Sequence, residues 1–269
     1  EAEKGTAAAV VRGCAARMAA LGFPVGGFDA AVTSSVLVGS GLSSSAAFEV
    51  LICAILDALY GNGALSPVLR AKISQFAENV YFGKPSGLMD QMASSVGGLV
   101  AIDFAAEEPD IAPLSFDFAA RGYALAVVNT GGSHDDLTDA YAAIRAEMEQ
   151  VAAHLGEACL RPVDPKRFER ELPALYGKVS DRALLRALHF FDENARVVEQ
   201  VDALKAGDLD RFFRLVIASG ESSWKLLQNV WAFPASQPIA LALELSRRML
   251  EGAGAWRVHG GGFAGTILA

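Results

Sequence analysis

The stretch "VGSGLSSSAAFEV", residues 38–50, decides how this sequence is interpreted. Glycines at positions 39 and 41 permit backbone conformations that turn N–H groups inward, because no Cβ lies in the way. The three serines at 43–45 then lead into an apolar run that predicts a helix. Unpaired N–H groups, the positive end of a helix dipole and several hydroxyls therefore converge at one point. Such a point is either an anion-binding loop or a serine-rich helix cap.

Two well-known phosphate-binding patterns do not fit this stretch. A Walker A loop requires Gly-Lys-Ser/Thr at its end, and that tripeptide is missing here. The dinucleotide-binding fingerprint requires a third glycine at the position where Ser44 stands. The stretch by itself therefore leaves open whether it holds a phosphate or only caps a helix.

The composition is that of a globular protein. The 269 residues are 52% hydrophobic and 20% charged, which allows a substantial core in one large or two small domains. The net charge of −8 argues against a nucleic-acid partner, because phosphate binding usually needs a basic face. The cysteines at 14, 53 and 159 have no disulfide or metal-site spacing, which favours a reducing cytoplasm. No run reaches the roughly twenty uninterrupted apolar residues of a membrane span, so no membrane partner is expected.

The first part of the chain mixes helical and strand patterns. Apolar periodicity predicts a helix over Thr6–Leu21, with Thr6 as N-cap, and further helices over 46–60, 67–82 and 88–96. Strands are predicted where β-branched and apolar residues alternate or run together, at 28–37, 97–104 and 123–130. The acidic, proline-containing segment between the last two strands is predicted to be a loop.

Beyond residue 130, long helical patterns dominate. They cover 135–155, 181–206, 209–228 and 238–250, and a strand at 255–259 follows before a run of glycines. Strands mixed with helices, then a helix-rich half that returns to a strand, predict an α+β chain of two lobes. The boundary is expected near residue 114, which gives domains 1–114 and 115–269.

Two carboxylates in "AENVYFGKPSGLMDQMASSVGG", residues 77–98, are candidates for chemistry. Asp90 lies near the start of an otherwise apolar short helix, where a carboxylate can take a proton from a substrate hydroxyl. Glu78 lies twelve residues earlier, and a carboxylate is a natural ligand for Mg²⁺. The ordinary alternatives are a first-turn helix charge for Asp90 and a solvated helix face for Glu78. Lys84 precedes a proline and is predicted to be a surface lysine.

Two glycine-containing turns complete the set of candidates. In "NTGGSHDDLTDAYAAIR", residues 129–145, a Ser-His-Asp hydrolase is set aside, because sequence neighbours rarely face one another as a triad requires. No G-x-S-x-G elbow is present either. The tyrosine of this segment has core packing as its ordinary alternative. In "VHGGGFAGT", residues 258–266, the glycines allow close backbone approach, and a plain β-turn is the alternative.

Each piece alone is ambiguous, but their order resembles a known family. "GSGLSSSAA", then "GLMDQ", then "GGGFAG" resemble the motifs of the GHMP small-molecule kinases, most closely those of the galactokinase branch. The resemblance extends over about Gly5 to Thr266. It implies a two-lobed GHMP-kinase fold, with an N-terminal α/β lobe and a helix-rich, ferredoxin-like C-terminal lobe. It also implies phosphorylation of the anomeric hydroxyl of galactose, with ATP as phosphoryl donor and Mg²⁺ as cofactor.

The resemblance assigns roles to individual residues of this chain. Asp90 would be the catalytic base, and Gly87, Asp90 and Tyr141 would contact the sugar. Ser45, in preference to Ser44, and Glu78 would bind Mg²⁺. The residues assigned to ATP are those of the first motif together with the glycines of the last, whose neighbours are Gly260 and Phe263: Gly39, Gly41, Leu42, Ser43, Ser44, Ser45, Ala46, Gly261 and Gly262.

The sequence also departs from the family pattern. The family's first motif, a Gly-Arg-x-Asn-x-x-Gly-Glu-His-Thr-Asp-like run with several sugar ligands, does not occur in these residues. We expect a fragment that lacks this motif and the extreme C-terminus and is inactive alone, cut from a cytoplasmic enzyme. Small molecules are the only partners expected, and the oligomeric state is left open. Two alternatives remain: a GHMP kinase for another sugar, and a non-catalytic, galactokinase-like sensor of sugar and ATP.

Overall fold

The computed structural model describes residues 3–36, 42–106, 108–131, 137–231, 233–263 and 265–269. The chain forms two compact units. The first takes in the described residues up to Asp103 and the segment Asp110–Ser115, and the second takes in Phe104–Pro109 and Phe116–Ala269. The assignment of residues 1–114 and 115–269 to two functional domains stays a prediction.

Four α-helices build most of the first unit. They are α1 (Ala7–Ala20), α2 (Ser44–Leu56), α3 (Pro67–Phe76) and α4 (Met89–Val96). A π-helical turn extends α2 over Asp57–Gly61, and another extends α3 over Ala77–Phe82. The Thr6 hydroxyl accepts a hydrogen bond from the Ala9 N–H, which confirms Thr6 as the N-cap of α1. All four helices were predicted from the sequence, with ends that differ by a few residues.

The core of the first unit lies between α1, α2 and the extended α3. A methyl group at Gly13 of α1 would lie only 2.8 Å from the Cβ of Ala77, so these two helices approach closely because of that glycine. Each fully buried large apolar side chain contributes about 1.5–3 kcal/mol relative to an exposed one. The buried members of the cluster are Val10, Cys14, Met18, Ile52, Cys53, Leu56, Leu65, Ile73 and Ala77.

Two sequence predictions for this unit are wrong. The described residues of 28–37 form no strand and are mostly exposed, because a strand needs a hydrogen-bonded neighbour and no described segment pairs with this one. The predicted acidic loop contains strand β2 (Asp110–Leu114), which pairs antiparallel with β1 (Leu99–Asp103). Its proline is tolerated because a two-stranded sheet consists of edge strands.

One stretch of the described chain, Ser44–Gly61, is long and apolar enough to cross a membrane by length and composition alone. It contains α2, which packs against α1, α3 and α4. It also carries the buried carboxylates of Glu49 and Asp57. These contacts are those of a core helix in the first unit.

Five α-helices are described in the second unit. They are α5 (Thr138–His154), α6 (Pro165–Leu175), α7 (Asp181–Ala206), α8 (Leu209–Ser222) and α9 (Pro238–Leu250), and a π-helical turn extends α8 over Ser223–Leu227. Helix α6 escaped prediction, although Asp164 caps it and Pro165 starts it, which are ordinary helix-start signals. Pro173, inside the last turn of α6, interrupts the helical pattern in the sequence.

The described sheet of the second unit has three antiparallel strands in the order β3 (Val127–Asn129), β5 (Thr266–Leu268) and β4 (Arg257–Val258). The predicted strands at 123–130 and 255–259 are confirmed, although both are shorter. Helices with few strands agree with the predicted α+β class. The sheet places the glycine run between β4 and β5, so the two strands hold both ends of that run.

A buried arginine binds the turn beside Asn229, a residue that contacts this glycine run. Arg186 of α7 is only 2% exposed, and its Nη1 lies 2.9 Å from Oε2 of Glu147 on α5. Its Nε donates to the carbonyl oxygen of Leu227, at 3.1 Å. The guanidinium thus joins two helices to the turn that precedes Asn229, a residue that contacts the glycine run.

Candidate active site

The start of α2 carries the described part of the glycine-serine stretch. Ser43 is its N-cap, with a left-handed backbone at φ +55°, and its side chain makes no capping hydrogen bond. The helix is therefore confirmed, but capping by the Ser43 hydroxyl is not observed. Ser45 is exposed at the first turn. Gly39 and Gly41, which were predicted to bind ATP phosphates, lie outside the described residues.

Glu78 is buried, not solvated. Its side chain is 3% exposed, so the interpretation of Glu78 as a solvated helix face is wrong. The Nε2 of Gln91 donates to Oε2 of Glu78 at 2.8 Å, and Nζ of Lys84 lies 3.3 Å from Oε1. Lys84 is a surface lysine as predicted, since its side chain is 61% exposed. Oε1 of Glu78 is therefore reached from the surface by a cation, the Lys84 ammonium.

A second buried carboxylate, Glu49 of α2, shares the same amide. The Nε2 of Gln91 lies 3.0 Å from Oε2 of Glu49, and both side chains are 1% exposed. Burial raises the pKa of Glu49 to about 7, the hydrogen bond from Gln91 opposes this rise, and the charge of Glu78 adds to it. Sequence reasoning missed both residues. The signal in the sequence was a polar side chain, Glu49 in α2 and Gln91 in α4, at a helix position where an apolar side chain is expected.

Asp90 lies in the first turn of α4 and is exposed, as a residue that meets a substrate must be. Its negative charge is favourable at a helix N-terminus. It also contributes to the raised pKa of Glu49, so the two carboxylates lie close enough to interact. A Cβ added at Gly87 would meet no atom of the described chain within 4 Å, so Gly87 borders open space.

The loop before Asp90 is held by amides from α3 and its extension. Oδ1 of Asn79 accepts from the backbone N–H of Ser86 at 2.7 Å. Nε2 of Gln75 donates to the Ser86 carbonyl oxygen at 3.1 Å. These bonds fix the chain three residues before the first turn of α4, and so they limit where Gly87 and Asp90 can lie.

In the second unit, Tyr141 and Asn229 hold the glycine run. The Tyr141 hydroxyl donates to the Gly262 carbonyl oxygen at 2.7 Å, and the Tyr141 ring meets the Phe263 ring edge-on at 5.2 Å. Nδ2 of Asn229 donates to the Gly261 carbonyl oxygen at 3.0 Å, and the Phe263 N–H donates to the Asn229 carbonyl. Tyr141 is therefore more than core packing, because its hydroxyl binds the loop.

Both glycines of this run are required by close contacts. A Cβ at Gly261 would lie 2.7 Å from Cε1 of Tyr141, and one at Gly262 would lie 2.1 Å from the Asn229 carbonyl oxygen. Gly262 also has a φ of +77°, which side chains rarely adopt. The loop thus needs glycine at both positions to adopt its conformation. A plain β-turn would not need both glycines. The candidates at 133–136 lie outside the described residues.

Comparison with known proteins shows similarity over most of this chain. Residues 9–98 match the GHMP kinases N terminal domain. The galactokinase of Glaesserella parasuis serovar 5 is 37% identical over 246 residues, which are 90% of this chain and 61% of that protein. A Mycobacterium bovis galactokinase is 34% identical over 252 residues, which are 92% of this chain and 65% of that protein.

Two solved structures share the fold of this chain. The Lactococcus lactis galactokinase, complexed with galactose, matches 98% of this chain and 67% of its own with a TM-score of 0.74 at 23% identity. The L. major mevalonate kinase, in complex with R-mevalonate, matches 88% of this chain and 58% of its own with a TM-score of 0.51 at 20% identity. The chain spans less than two thirds of the length of the galactokinases that it resembles in sequence.

Proposed function

We propose that this protein is a sugar kinase that transfers the γ-phosphoryl group of ATP to the anomeric hydroxyl of galactose. The proposal rests on the position of Asp90, an exposed carboxylate in the first turn of α4, next to a buried Glu78–Gln91 pair. The similarity to galactokinases over 90% of the chain supports the choice of substrates. Phosphoryl transfer needs mainly positioning and charge neutralisation, which such a site supplies.

Asp90 acts as the general base in this proposal. Its carboxylate accepts the proton of the anomeric hydroxyl, and the sugar oxygen then attacks the γ-phosphorus. The bond from the γ-phosphorus to the bridging oxygen breaks, and ADP leaves. Gly87 and Tyr141 contact the sugar, and the open space beside Gly87 leaves room for a ligand.

The ATP phosphates bind at the start of α2. The N–H groups of its first turn are free of a side-chain cap, and Ser43 turns the backbone there with a left-handed conformation. A helix start of this kind attracts phosphate through its N–H groups and dipole. The other residues assigned to ATP in the first motif are Gly39, Gly41, Leu42, Ser44, Ser45 and Ala46, of which Gly39 and Gly41 lie outside the described residues. Gly261 and Gly262 support the nucleotide through a loop that Tyr141 and Asn229 hold in place.

Mg²⁺ fits the donor atoms that are present. Ser45 offers a hydroxyl oxygen and Glu78 offers a carboxylate oxygen, which are the hard ligands that Mg²⁺ prefers. The exposed ammonium of Lys84 already reaches Oε1 of Glu78, so a cation has access to that atom. When bound, Mg²⁺ would neutralise charge on the phosphates. The protein would work in the cytoplasm on small molecules, without a nucleic-acid or membrane partner.

Phosphoryl transfer from γ-labelled ATP to a panel of hexoses tests this proposal. The protein is expressed from its natural reading frame, in parallel with the 269-residue chain. We expect label in galactose 1-phosphate with the reading-frame product and none with the 269-residue chain. A preference for another hexose would show that galactose is not the substrate. Saturable binding of ATP and galactose without label transfer would show that the protein is a sensor and not a kinase.

A further inference from the structure

One side-chain amide of the first unit joins three separate elements. Gln91 of α4 donates from the same nitrogen to Glu49 of α2, at 3.0 Å, and to Glu78 of the turn that extends α3, at 2.8 Å. An amide nitrogen carries two hydrogens, so each carboxylate receives one. All three side chains are at least 97% buried.

Two buried carboxylates so close together need donors. A buried charge without a donor is strongly unfavourable, and like charges raise each other's pKa. Gln91 supplies one hydrogen bond to each, and Lys84 adds a second to Glu78 from the surface. Glu49 has no such cation within hydrogen-bond distance among the described residues, and its Oε1 and the Oε1 of Gln91 lack partners. Protonation of Glu49 would turn one of these orphan acceptors into a donor.

The two carboxylates differ in their hydrogen-bond donors. Among the described residues, the Glu49 carboxylate accepts from the Gln91 amide only, and burial raises the pKa of Glu49 to about 7. Glu78 accepts from the Gln91 amide at Oε2 and from the exposed Lys84 ammonium at Oε1. Oε1 of Glu78 is therefore the oxygen that a cation reaches from the surface.

We propose that Gln91 is a positioning residue for the phosphoryl-transfer site. Its amide holds Oε2 of Glu78, so that Oε1 stays directed toward the Lys84 ammonium, the side from which Mg²⁺ would bind. It also anchors the first turn of α4 to α2 through Glu49. That turn carries Asp90, and α2 begins at the serines of the phosphate loop. This inference rests on the proposed kinase function, and it adds a role for two residues that touch neither substrate nor metal.

The test replaces Gln91 by Met, which has nearly the same size and no donor. Residues that support metal ligands typically contribute about 10–100-fold in metal affinity or activity. We expect Gln91→Met to raise the Mg²⁺ concentration for half-maximal turnover about tenfold, with KM for galactose changed less than about twofold.

A second readout does not need turnover. Calorimetric titration with ADP, with and without Mg²⁺, measures how much the metal strengthens nucleotide binding. In Gln91→Met we expect most of that strengthening to be lost, while metal-free ADP binding stays the same. If Gln91→Met does not fold, Gln91→Asn retains an amide that is too short to reach both carboxylates, and we expect an intermediate loss.

Ser74→Ala is the matched control, because Ser74 is fully buried and its hydroxyl donates to the Arg70 carbonyl away from this cluster. We expect it to lower thermal stability without changing the Mg²⁺ response. A Gln91 variant whose Mg²⁺ response in turnover and in ADP binding matches that of Ser74→Ala overturns the inference. A wild-type protein that binds ADP in a Gln91- and Mg²⁺-dependent manner but phosphorylates no sugar contradicts the proposed function and leaves the inference intact.

Discussion

The Tyr141 hydroxyl donates a 2.7 Å hydrogen bond to the carbonyl oxygen of Gly262. The sequence assigned these two residues to different ligands, Tyr141 to the sugar and Gly262 to ATP. Their direct contact couples α5 to the glycine run between β4 and β5. A change at the tyrosine is therefore transmitted to the loop that is assigned to the nucleotide.

Tyr141→Phe separates these two roles. The ring would still pack edge-on against Phe263, but the loop would lose one hydrogen bond, worth about 1 kcal/mol of unfolding free energy. We expect KM for ATP to rise severalfold, measured by steady-state kinetics. Tyr123→Phe is the control, because Tyr123 makes a similar edge-on contact with Phe213 elsewhere in this unit. A rise in KM for galactose alone would show that the hydroxyl acts on the sugar directly.

Gly262→Ala is expected to destabilise the second unit by roughly 2–4 kcal/mol, through backbone strain and the clash with Asn229. The new Cβ would lie 2.1 Å from a backbone oxygen at a φ of +77°. All three tryptophans, at 224, 231 and 256, belong to this unit, so urea unfolding followed by tryptophan fluorescence reports on it. Gly254→Ala is the control, because its Cβ would meet only Leu250, at 3.9 Å. Equal unfolding midpoints for the two variants would contradict the described contact.

Glu49 is expected to make the stability of the first unit depend on pH. Its pKa is raised from 4.5 to about 7 by burial, so the folded state holds the proton more tightly than the unfolded state. The free energy of unfolding should therefore fall as pH rises from about 4.5 to 7, by on the order of 3 kcal/mol. Glu49→Gln should remove this decline and be more stable than the wild type at pH 8.

Amide hydrogen exchange within α2 and α4 measures this effect, because the first unit has no tryptophan. Exchange free energies are compared at several pH values after correction for intrinsic rates. Glu169→Gln, an exposed glutamate of α6, should leave the pH dependence unchanged. Parallel curves for the wild type and Glu49→Gln would show that Glu49 does not take up the proton.

Local signals predicted much of the fold. Helix α1 follows from its Thr6 cap and its periodicity, since both act within a few residues. The segment 28–37 has the composition of a strand, but pairing depends on a neighbour that sequence alone does not name. Strand β2 was missed because its acidic and proline residues are typical of a loop. It forms a strand because β1 pairs with it.

The motifs predicted where Asp90 and Glu78 lie in the fold, while their roles stay a prediction. The order of the motifs singled out Asp90 and Glu78, and Asp90 lies at the predicted helix start. The burial of Glu78 and its shared amide with Glu49 were not predictable, because Gln91 is 42 residues from Glu49 along the chain. The Tyr141–Gly262 bond spans 121 residues. Contacts over such separations come from packing and leave no periodic signal.

We propose that Asp90 removes the proton from the sugar hydroxyl that attacks ATP. The most direct measurement compares the rate of galactose 1-phosphate formation by the wild type and by Asp90→Ala, with ATP binding measured on the same samples. Asp181→Ala, another exposed first-turn aspartate, is the control and should keep full turnover. We predict that Asp90→Ala loses at least about 100-fold in kcat and binds ATP as the wild type does. Turnover by a folded Asp90→Ala protein within twofold of the wild type would contradict this account.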